Sequence, residues 1–98
     1  MAYILEALDF FREQFEELSP DAAKTVERKL LLAKESPFHN KAVRGFGMPL
    51  FRIRFQDNHK EKRVIYLVDR PAIVAICILD RDKDYKNLRP LLVRLGYL

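Results

Sequence analysis

The chain has 98 residues, too few for more than one hydrophobic core, so we predict a single domain over residues 1–98 and exclude a multidomain enzyme. Its composition, 49% hydrophobic and 33% charged, is that of a folded domain and not of a disordered chain. The net charge of +4 is unevenly distributed: residues 1–36 hold eight acidic and five basic side chains, whereas residues 37–98 hold six acidic and thirteen basic ones. The excess of basic side chains in residues 37–98 indicates an anionic partner such as a nucleic acid, although a surface that only keeps the protein soluble would carry the same charge.

Two helices are predicted before residue 37. The first is amphipathic, and residues 3–6 either begin it or form a short edge strand. Its apolar side chains recur three or four residues apart: Ile4, Leu8, Phe11, Phe15 and Leu18. Residues 19–21 (Ser-Pro-Asp) then combine an N-cap hydroxyl with a proline and an acid suited to a first turn, which predicts a second helix to about residue 34. Because the connection is short, the two helices should form an antiparallel hairpin.

Three strands are predicted in the middle of the chain. Residues 38–49 lack a period and form a loop, in which residues 41–45 are candidates for regular structure. Residues 50–55 alternate strictly, which predicts a half-buried strand with Arg52 and Arg54 on one face. A polar turn at residues 56–61 leads to a second strand at 63–68, and a tight turn at 69–71 leads to a third at 72–79. The third strand is nearly all apolar, so we expect it to be covered on both faces.

The last predicted element is a short helix. A charged loop over residues 80–84 ends at Tyr85, and apolar side chains then recur at helical spacing up to Gly96, which suits the C′ position. Because Pro90 must lie near the start of that helix, residues 85–88 are expected to form a turn. The predicted fold class is therefore α+β: an N-terminal antiparallel helix hairpin packed on a small antiparallel meander, with a short C-terminal helix.

Several kinds of site are excluded by what the sequence lacks. One cysteine, Cys77, allows neither an internal disulfide nor a thiolate zinc site, and its apolar neighbours predict an inert core thiol. His39 and His59 lie in predicted loops far apart in sequence, so we expect no metal and no cofactor. No apolar run approaches the roughly 20 residues of a membrane-spanning helix, and residues 1–6 have no basic export region. We therefore expect a cytoplasmic protein with no membrane partner.

The remaining candidate site is a group of arginines and one tyrosine. Arg54 should lie beside Arg63 across the predicted hairpin, on the face that Arg52 shares, and Arg81 and Tyr85 follow the third strand. Guanidinium groups that converge in this way repel one another unless an anion lies between them, which favours a phosphate-binding concavity. The alternative is a set of solvent-facing side chains, half of them paired with nearby acids. Those acids are Asp57, Asp80, Asp82 and Asp84.

Three stretches in this order resemble the RelE/ParE toxin superfamily. They are the basic strand at residues 50–55, the Lys62-Arg63-Val64-Ile65-Tyr66-Leu67-Val68 strand, and the Asp80 to Tyr85 stretch after the apolar strand. With the preceding helix hairpin the resemblance covers nearly the whole chain, and it implies a RelE-like fold.

The resemblance also implies a function. It implies the toxin of a type II toxin–antitoxin system, an endoribonuclease that inhibits translation by cleaving mRNA on the ribosome without a metal and that is held inactive by a cognate antitoxin. The RNA 2′-OH attacks the adjacent phosphate and yields a 2′,3′-cyclic phosphate. The positions that match the family's catalytic residues are Arg52, Arg54, Arg63, Arg81 and Tyr85. Further contacts to RNA are expected from Arg44, Lys60, Lys62, Lys83 and Lys86.

The chain departs from the RelE pattern in the basic strand, where that pattern has lysines. Arginine stays protonated and cannot take the proton of the 2′-OH, so Tyr85, His59, Lys60 or Lys62 is the expected base. The same departure keeps two alternatives open. One is a ParE-like inhibitor of DNA gyrase, and the other is a toxin-fold binding protein without catalytic activity.

Overall fold

A computed structural model describes residues 3–81 and 85–98 of the chain. In chain order the elements are β1 (Ile4–Ala7), α1 (Asp9–Glu16), α2 (Pro20–Glu35), β2 (Lys41–Val43), β3 (Leu50–Asp57), β4 (Lys60–Asp69), β5 (Ala72–Asp80) and α3 (Leu88–Arg94). The strands form one five-stranded sheet in the order β1-β5-β4-β3-β2. All neighbours are antiparallel except β1, which runs parallel to β5. The predicted α+β class and the central meander are confirmed.

The N-terminal residues form a strand, which settles the alternative that their spacing left open. The Ile4 N–H donates to the Pro71 carbonyl at 2.9 Å, and the Leu8 N–H donates to the Ala75 carbonyl at 3.0 Å. Residues 4–7 thus form an edge strand that pairs with β5, and the helix begins only at Asp9. At the other edge, the stretch proposed for regular structure contains β2, which pairs with the start of β3.

The start of α2 has the predicted cap and an additional anchor to the sheet. The Ser19 hydroxyl accepts a hydrogen bond from the Ala22 N–H at 3.2 Å. The Ser19 N–H in turn donates to the carboxylate of Asp57, at the end of β3, at 3.2 Å. Asp57 is buried, so this bond ties the helix hairpin to the β3–β4 turn.

The anchor predicts an acid-sensitive contribution to stability. Hydrogen bonds from the Ser19 side chain and backbone hold the pKa of Asp57 below its ordinary value of 3.8, with Lys62 adding a smaller attraction. A lowered folded-state pKa stabilises the fold above the unfolded-state value, and that stabilisation is lost as the pH falls through the folded-state value. Asp57→Asn should therefore destabilise the protein at pH 7, by a margin that narrows near pH 3. Urea unfolding at both pH values measures the difference in unfolding free energy between the wild type and Asp57→Asn. A difference that is the same at pH 7 and pH 3 would contradict this role of Asp57.

The sheet is covered on both faces. α1 and α2 pack on one face against alternate residues of β3, β4 and β5, and α3 packs on the other face. Opposite Ile65 and Tyr66 the ladder shifts register, because Ile76 has no partner, and Ile76 and Cys77 both join the cluster on the α3 face. Burial raises the pKa of the Cys77 thiol to about 12, as expected of an inert core cysteine.

α3 follows a turn at residues 85–87, as predicted. Its apolar side, which includes Leu88 and Leu92, is buried against the sheet. After the helix, Gly96 adopts a φ of 90°, the Gly96 N–H donates to Val93 at 3.1 Å, and the Tyr97 N–H donates to Leu92 at 2.8 Å. These two bonds are those of a Schellman motif, so Gly96 ends the helix in the predicted way. Within residues 3–81 and 85–98, no helix has the length and hydropathy to cross a bilayer.

Candidate active site

Strand alternation places three arginines on the α3 face of the sheet. Arg52 lies opposite Ile65, and Arg54 lies opposite Arg63, as the sequence predicted. Asn58 and His59 both have positive φ angles, 51° and 67°, and form the two-residue turn that joins β3 to β4. Because a two-residue turn fixes how the two strands pair, the hairpin itself determines the register that brings Arg54 beside Arg63.

Tyr85 lies against two of these arginines. Arg52 Nη1 donates a hydrogen bond to Tyr85 Oη at 2.9 Å. The Arg63 guanidinium carbon lies 5.2 Å from the centroid of the Tyr85 ring, within range of a cation–π interaction. Arg63 is buried and Tyr85 half-buried, so these contacts are partly shielded from solvent. The turn before α3 thus brings a phenol hydroxyl to the cationic strands.

Glu61 connects the third of these arginines, Arg54, to Arg81, and it was not singled out from the sequence. Its Oε2 lies 2.6 Å from Arg81 Nη1, and its Oε1 lies 3.9 Å from Arg54 Nη1. Glu61 is two residues before Arg63 on β4 and therefore on the same face. That spacing was the available signal. The sequence reasoning looked instead to aspartates, but Asp57 bonds to Ser19 and Asp80 pairs with Lys62 at 3.6 Å.

No family model and no curated protein sequence matches the chain. Its structure, however, is similar to solved structures of the Escherichia coli toxin RelE. A double arginine-to-alanine variant of that toxin in the free state matches with a TM-score of 0.79 and 18% sequence identity, over 98% of this chain and 99% of that one. The isolated toxin matches with a TM-score of 0.70 and 17% identity, over 96% of this chain and 99% of that one. The fold is that of RelE.

A third similar structure contains a partner protein. It is the intact Escherichia coli RelBE toxin–antitoxin complex, which matches with a TM-score of 0.67 and 24% identity, over 81% of this chain and 96% of that one. At these identities the likeness to RelE is one of fold.

The basic residues expected to contact RNA are spread over this RelE fold. Lys60 and Lys62 lie at the hairpin end but alternate onto the opposite face from Arg63, where Lys62 is held by Asp80. Arg44 is exposed directly after β2, and Lys86 is exposed next to Tyr85. Lys83, with Asp82 and Asp84, falls outside the described residues. Of the predicted set, the structure brings together Arg52, Arg54, Arg63 and Tyr85, with Arg81 joined through Glu61.

Arg89 was also missed by the sequence reasoning, and it fixes the RelE-like C-terminal helix beside the site. Its Nη2 donates to the Gly45 carbonyl at 2.7 Å, and its guanidinium carbon lies 5.1 Å from the Phe46 ring centroid. These contacts tie α3 to the loop between β2 and β3, next to the strand that holds Arg52. In the described part of the chain, no three His, Cys, Asp or Glu side chains are arranged to hold a metal ion.

Proposed function

We propose that this protein is the toxin of a type II toxin–antitoxin system and that it cleaves translated mRNA on the ribosome. The observation that carries the proposal is the convergence of Arg52 and Arg63 on Tyr85, with Arg54 beside Arg63. Guanidinium groups bind phosphate through paired N–H donors, and an aromatic ring stacks on an unpaired RNA base. The RelE fold supports the proposal, because it places both kinds of group on one face.

The reaction that fits this face uses the RNA as its own nucleophile. The ribose 2′-oxygen forms a bond to the adjacent phosphorus, the bond from phosphorus to the 5′-oxygen breaks, and the products are a 2′,3′-cyclic phosphate and a 5′-OH. The transition state carries extra negative charge on the phosphoryl oxygens. Arg63, which is buried, and Arg52, which is half-buried, supply positive charge where it is most effective, and the exposed Arg54 adds to it.

Tyr85 is suited to protonate the leaving oxygen. Its hydroxyl already accepts a hydrogen bond from Arg52, so its own proton is directed to another acceptor. Once that proton is given to the 5′-oxygen, the phenolate is stabilised by Arg52 and by the Arg63 cation next to the ring. The sequence had proposed Tyr85 as a base, but the contact with Arg52 favours the role of proton donor.

A cognate antitoxin is the partner that the surface favours. Leu31 and Leu32 are 46% and 62% exposed on α2, and Phe38 is 57% exposed just after it. An amphipathic segment that folds on binding would cover these apolar side chains on the helix-hairpin side, and an acidic continuation that reaches the α3 side of the sheet would neutralise the cationic residues there. The similarity to a chain of the RelBE toxin–antitoxin complex supports this proposal.

Primer extension on mRNA in a purified translation system tests the activity. We expect the protein to produce breaks at codon positions only when ribosomes translate the message. Arg52→Ala should reduce the cleavage rate by about 100-fold, because it removes one phosphate ligand and the hydrogen bond to Tyr85. The matched control is Arg70→Ala, an exposed arginine in the β4–β5 turn that lies over the ring of Tyr3 at 5.7 Å.

Two outcomes would contradict the proposal. Intact mRNA in cells whose growth the protein arrests would exclude cleavage as its action. If the purified protein also blocks supercoiling by DNA gyrase, the gyrase-directed alternative takes its place. Equal loss of cleavage in Arg52→Ala and Arg70→Ala would show that the arginine face, formed by Arg52, Arg54 and Arg63, is not the site.

A further inference from the structure

The proposed reaction lacks a group that removes the proton of the 2′-OH. The guanidinium groups of Arg52, Arg54 and Arg63 are hydrogen-bond donors with no site that accepts it. Tyr85 is engaged by Arg52 as an acceptor and is suited to the leaving oxygen. Lys60 and Lys62, proposed from the sequence, alternate onto the other face of the sheet. His59, also proposed from the sequence, is exposed in the β3–β4 turn, and among the described residues no hydrogen bond or ion pair joins it to Arg52 or Arg54. The face therefore needs a proton acceptor from another residue.

Glu61 is placed to be that acceptor. Of the carboxylates in the described ranges, it is the one in ionic contact with the arginine face. It lies on the same face as Arg63, two residues along β4, and its side chain is 24% exposed, so RNA can reach it. A glutamate carboxylate accepts a proton at neutral pH, which no guanidinium does.

The two oxygens of Glu61 have different surroundings. Oε2 is held by Arg81 at 2.6 Å, which fixes the orientation of the carboxylate. Oε1 lies 3.9 Å from Arg54 Nη1, too far for a hydrogen bond between the two. The carboxylate is therefore anchored by one oxygen, while the other lies next to a cation that is suited to bind the scissile phosphate.

We propose that Glu61 is the general base of the cleavage reaction, with Arg81 as the residue that positions it. This inference rests on the proposed function. In the step, a Glu61 oxygen takes the 2′-OH proton as the 2′-oxygen bonds to phosphorus, and the 5′-oxygen leaves with a proton from Tyr85. Glu61 ends protonated and Tyr85 ends as a phenolate, so one proton transfer between them through water restores both groups.

The same ion pair has a competing interpretation, which predicts a different result. If Glu61 only neutralises Arg54 and Arg81, its removal frees two cations and strengthens RNA binding without changing the chemical step. A base acts on the chemical step itself, and its loss typically costs a factor of 100 to 10,000. The two interpretations are separated by measuring kcat and KM independently.

The experiment measures kcat and KM for cleavage of mRNA on programmed ribosomes by the wild type, Glu61→Gln and a matched control. Glu13→Gln, on the exposed side of α1, removes the same charge away from the site. We expect Glu61→Gln to lower kcat by about 100-fold or more, and Glu13→Gln to keep the wild-type rate. A second substrate with sulfur in place of the 5′-bridging oxygen has a leaving group that needs no proton. It should not rescue Glu61→Gln, because a missing base acts on the other oxygen.

The outcomes distinguish this proposal from the one on which it rests. If the wild type does not cleave, the proposed function fails. If the wild type cleaves and Glu61→Gln keeps its kcat, or is rescued by the sulfur-containing substrate, Glu61 is not the base although the function stands. Circular dichroism and thermal unfolding of Glu61→Gln establish that the variant is folded. Arg81→Ala provides a second test of the proposal. It should lower kcat although the Glu61 carboxylate is still present, because the carboxylate is no longer held in position.

Discussion

Tyr85→Phe is expected to slow cleavage of ribosome-bound mRNA by about 100- to 10,000-fold without unfolding the protein. The substitution keeps the ring, and with it the contact to the Arg63 guanidinium 5.2 Å away. It removes only the hydroxyl, which is the acceptor for Arg52 at 2.9 Å and the proposed donor to the leaving oxygen. The experiment therefore separates the chemistry of Tyr85 from the ability of its ring to stack on a base.

The substrate with a 5′-bridging sulfur provides the decisive measurement. A thiolate leaves without a proton, so it should restore most of the rate that Tyr85→Phe loses. The matched control is Tyr3→Phe, since the ring of Tyr3 is also covered by an arginine, Arg70, but lies at the N-terminal edge of the sheet. A wild-type cleavage rate in Tyr85→Phe, or an equal loss with both substrates, would contradict the role of proton donor.

The arginine face was predictable from the sequence because it depends on short-range regularities. Strict alternation over residues 50–55 puts Arg52 and Arg54 on one side of a strand whatever its partners are. A two-residue turn then determines which residue of β4 lies opposite Arg54. The cap at Ser19 and the stop at Gly96 are local in the same sense, since each involves backbone groups within a few residues.

The features that the sequence left open or did not predict depend on distant parts of the chain. Residues 4–7 are a strand only because they complete the edge of β5, whose partner residues begin at Ala72. Gln14 was not singled out either, although its side chain bonds to both the N–H and the carbonyl of Ile78, at 2.7 and 2.8 Å. Such contacts follow from packing, which periodicity within one segment does not reveal.

The position of Glu61 illustrates the same limit within the site. Alternation places Glu61 on the face of Arg63, but its contact with Arg81 depends on where the chain turns after β5. From the sequence, aspartates were considered as partners of the arginines and Glu61 was not. Of the acids in residues 3–81 and 85–98, Asp57 holds α2, Asp80 holds Lys62, and Glu61 is the one that contacts Arg54 and Arg81.

Removing the Tyr66 side chain is expected to cause the largest loss of stability of the substitutions considered. Tyr66 is fully buried between the sheet and the helix hairpin. Its hydroxyl donates to the Pro37 carbonyl at 2.7 Å and accepts from Asn40 Nδ2 at 3.1 Å. Tyr66→Phe leaves these two groups without their partner and should cost about 1–3 kcal/mol, whereas Tyr66→Ala also leaves a cavity and should cost about 3–5 kcal/mol.

The loss should extend to activity, because Tyr66 holds the segment that supports the arginine face. Residues 37–40 lead directly into β2, where Lys41 pairs with Arg52. Urea unfolding at pH 7 measures the stability of each variant, and Tyr85→Phe is the matched control, since its lost bond is only partly buried. A Tyr66→Phe variant as stable as Tyr85→Phe would show that the buried pair of hydrogen bonds does not hold this segment.

High pH provides an independent test of the same hydroxyl. Burial raises the pKa of Tyr66, against a smaller opposing effect of the Asn40 hydrogen bond. A raised folded-state pKa stabilises the fold below the unfolded-state value of about 10, and the contribution is lost as the pH rises through the folded-state value. The wild type should therefore lose stability more steeply than Tyr66→Phe above pH 10. Urea unfolding between pH 9 and pH 11 measures how the unfolding free energy of each protein falls with pH. An equal fall in the wild type and Tyr66→Phe would exclude a buried, protonated hydroxyl at this position.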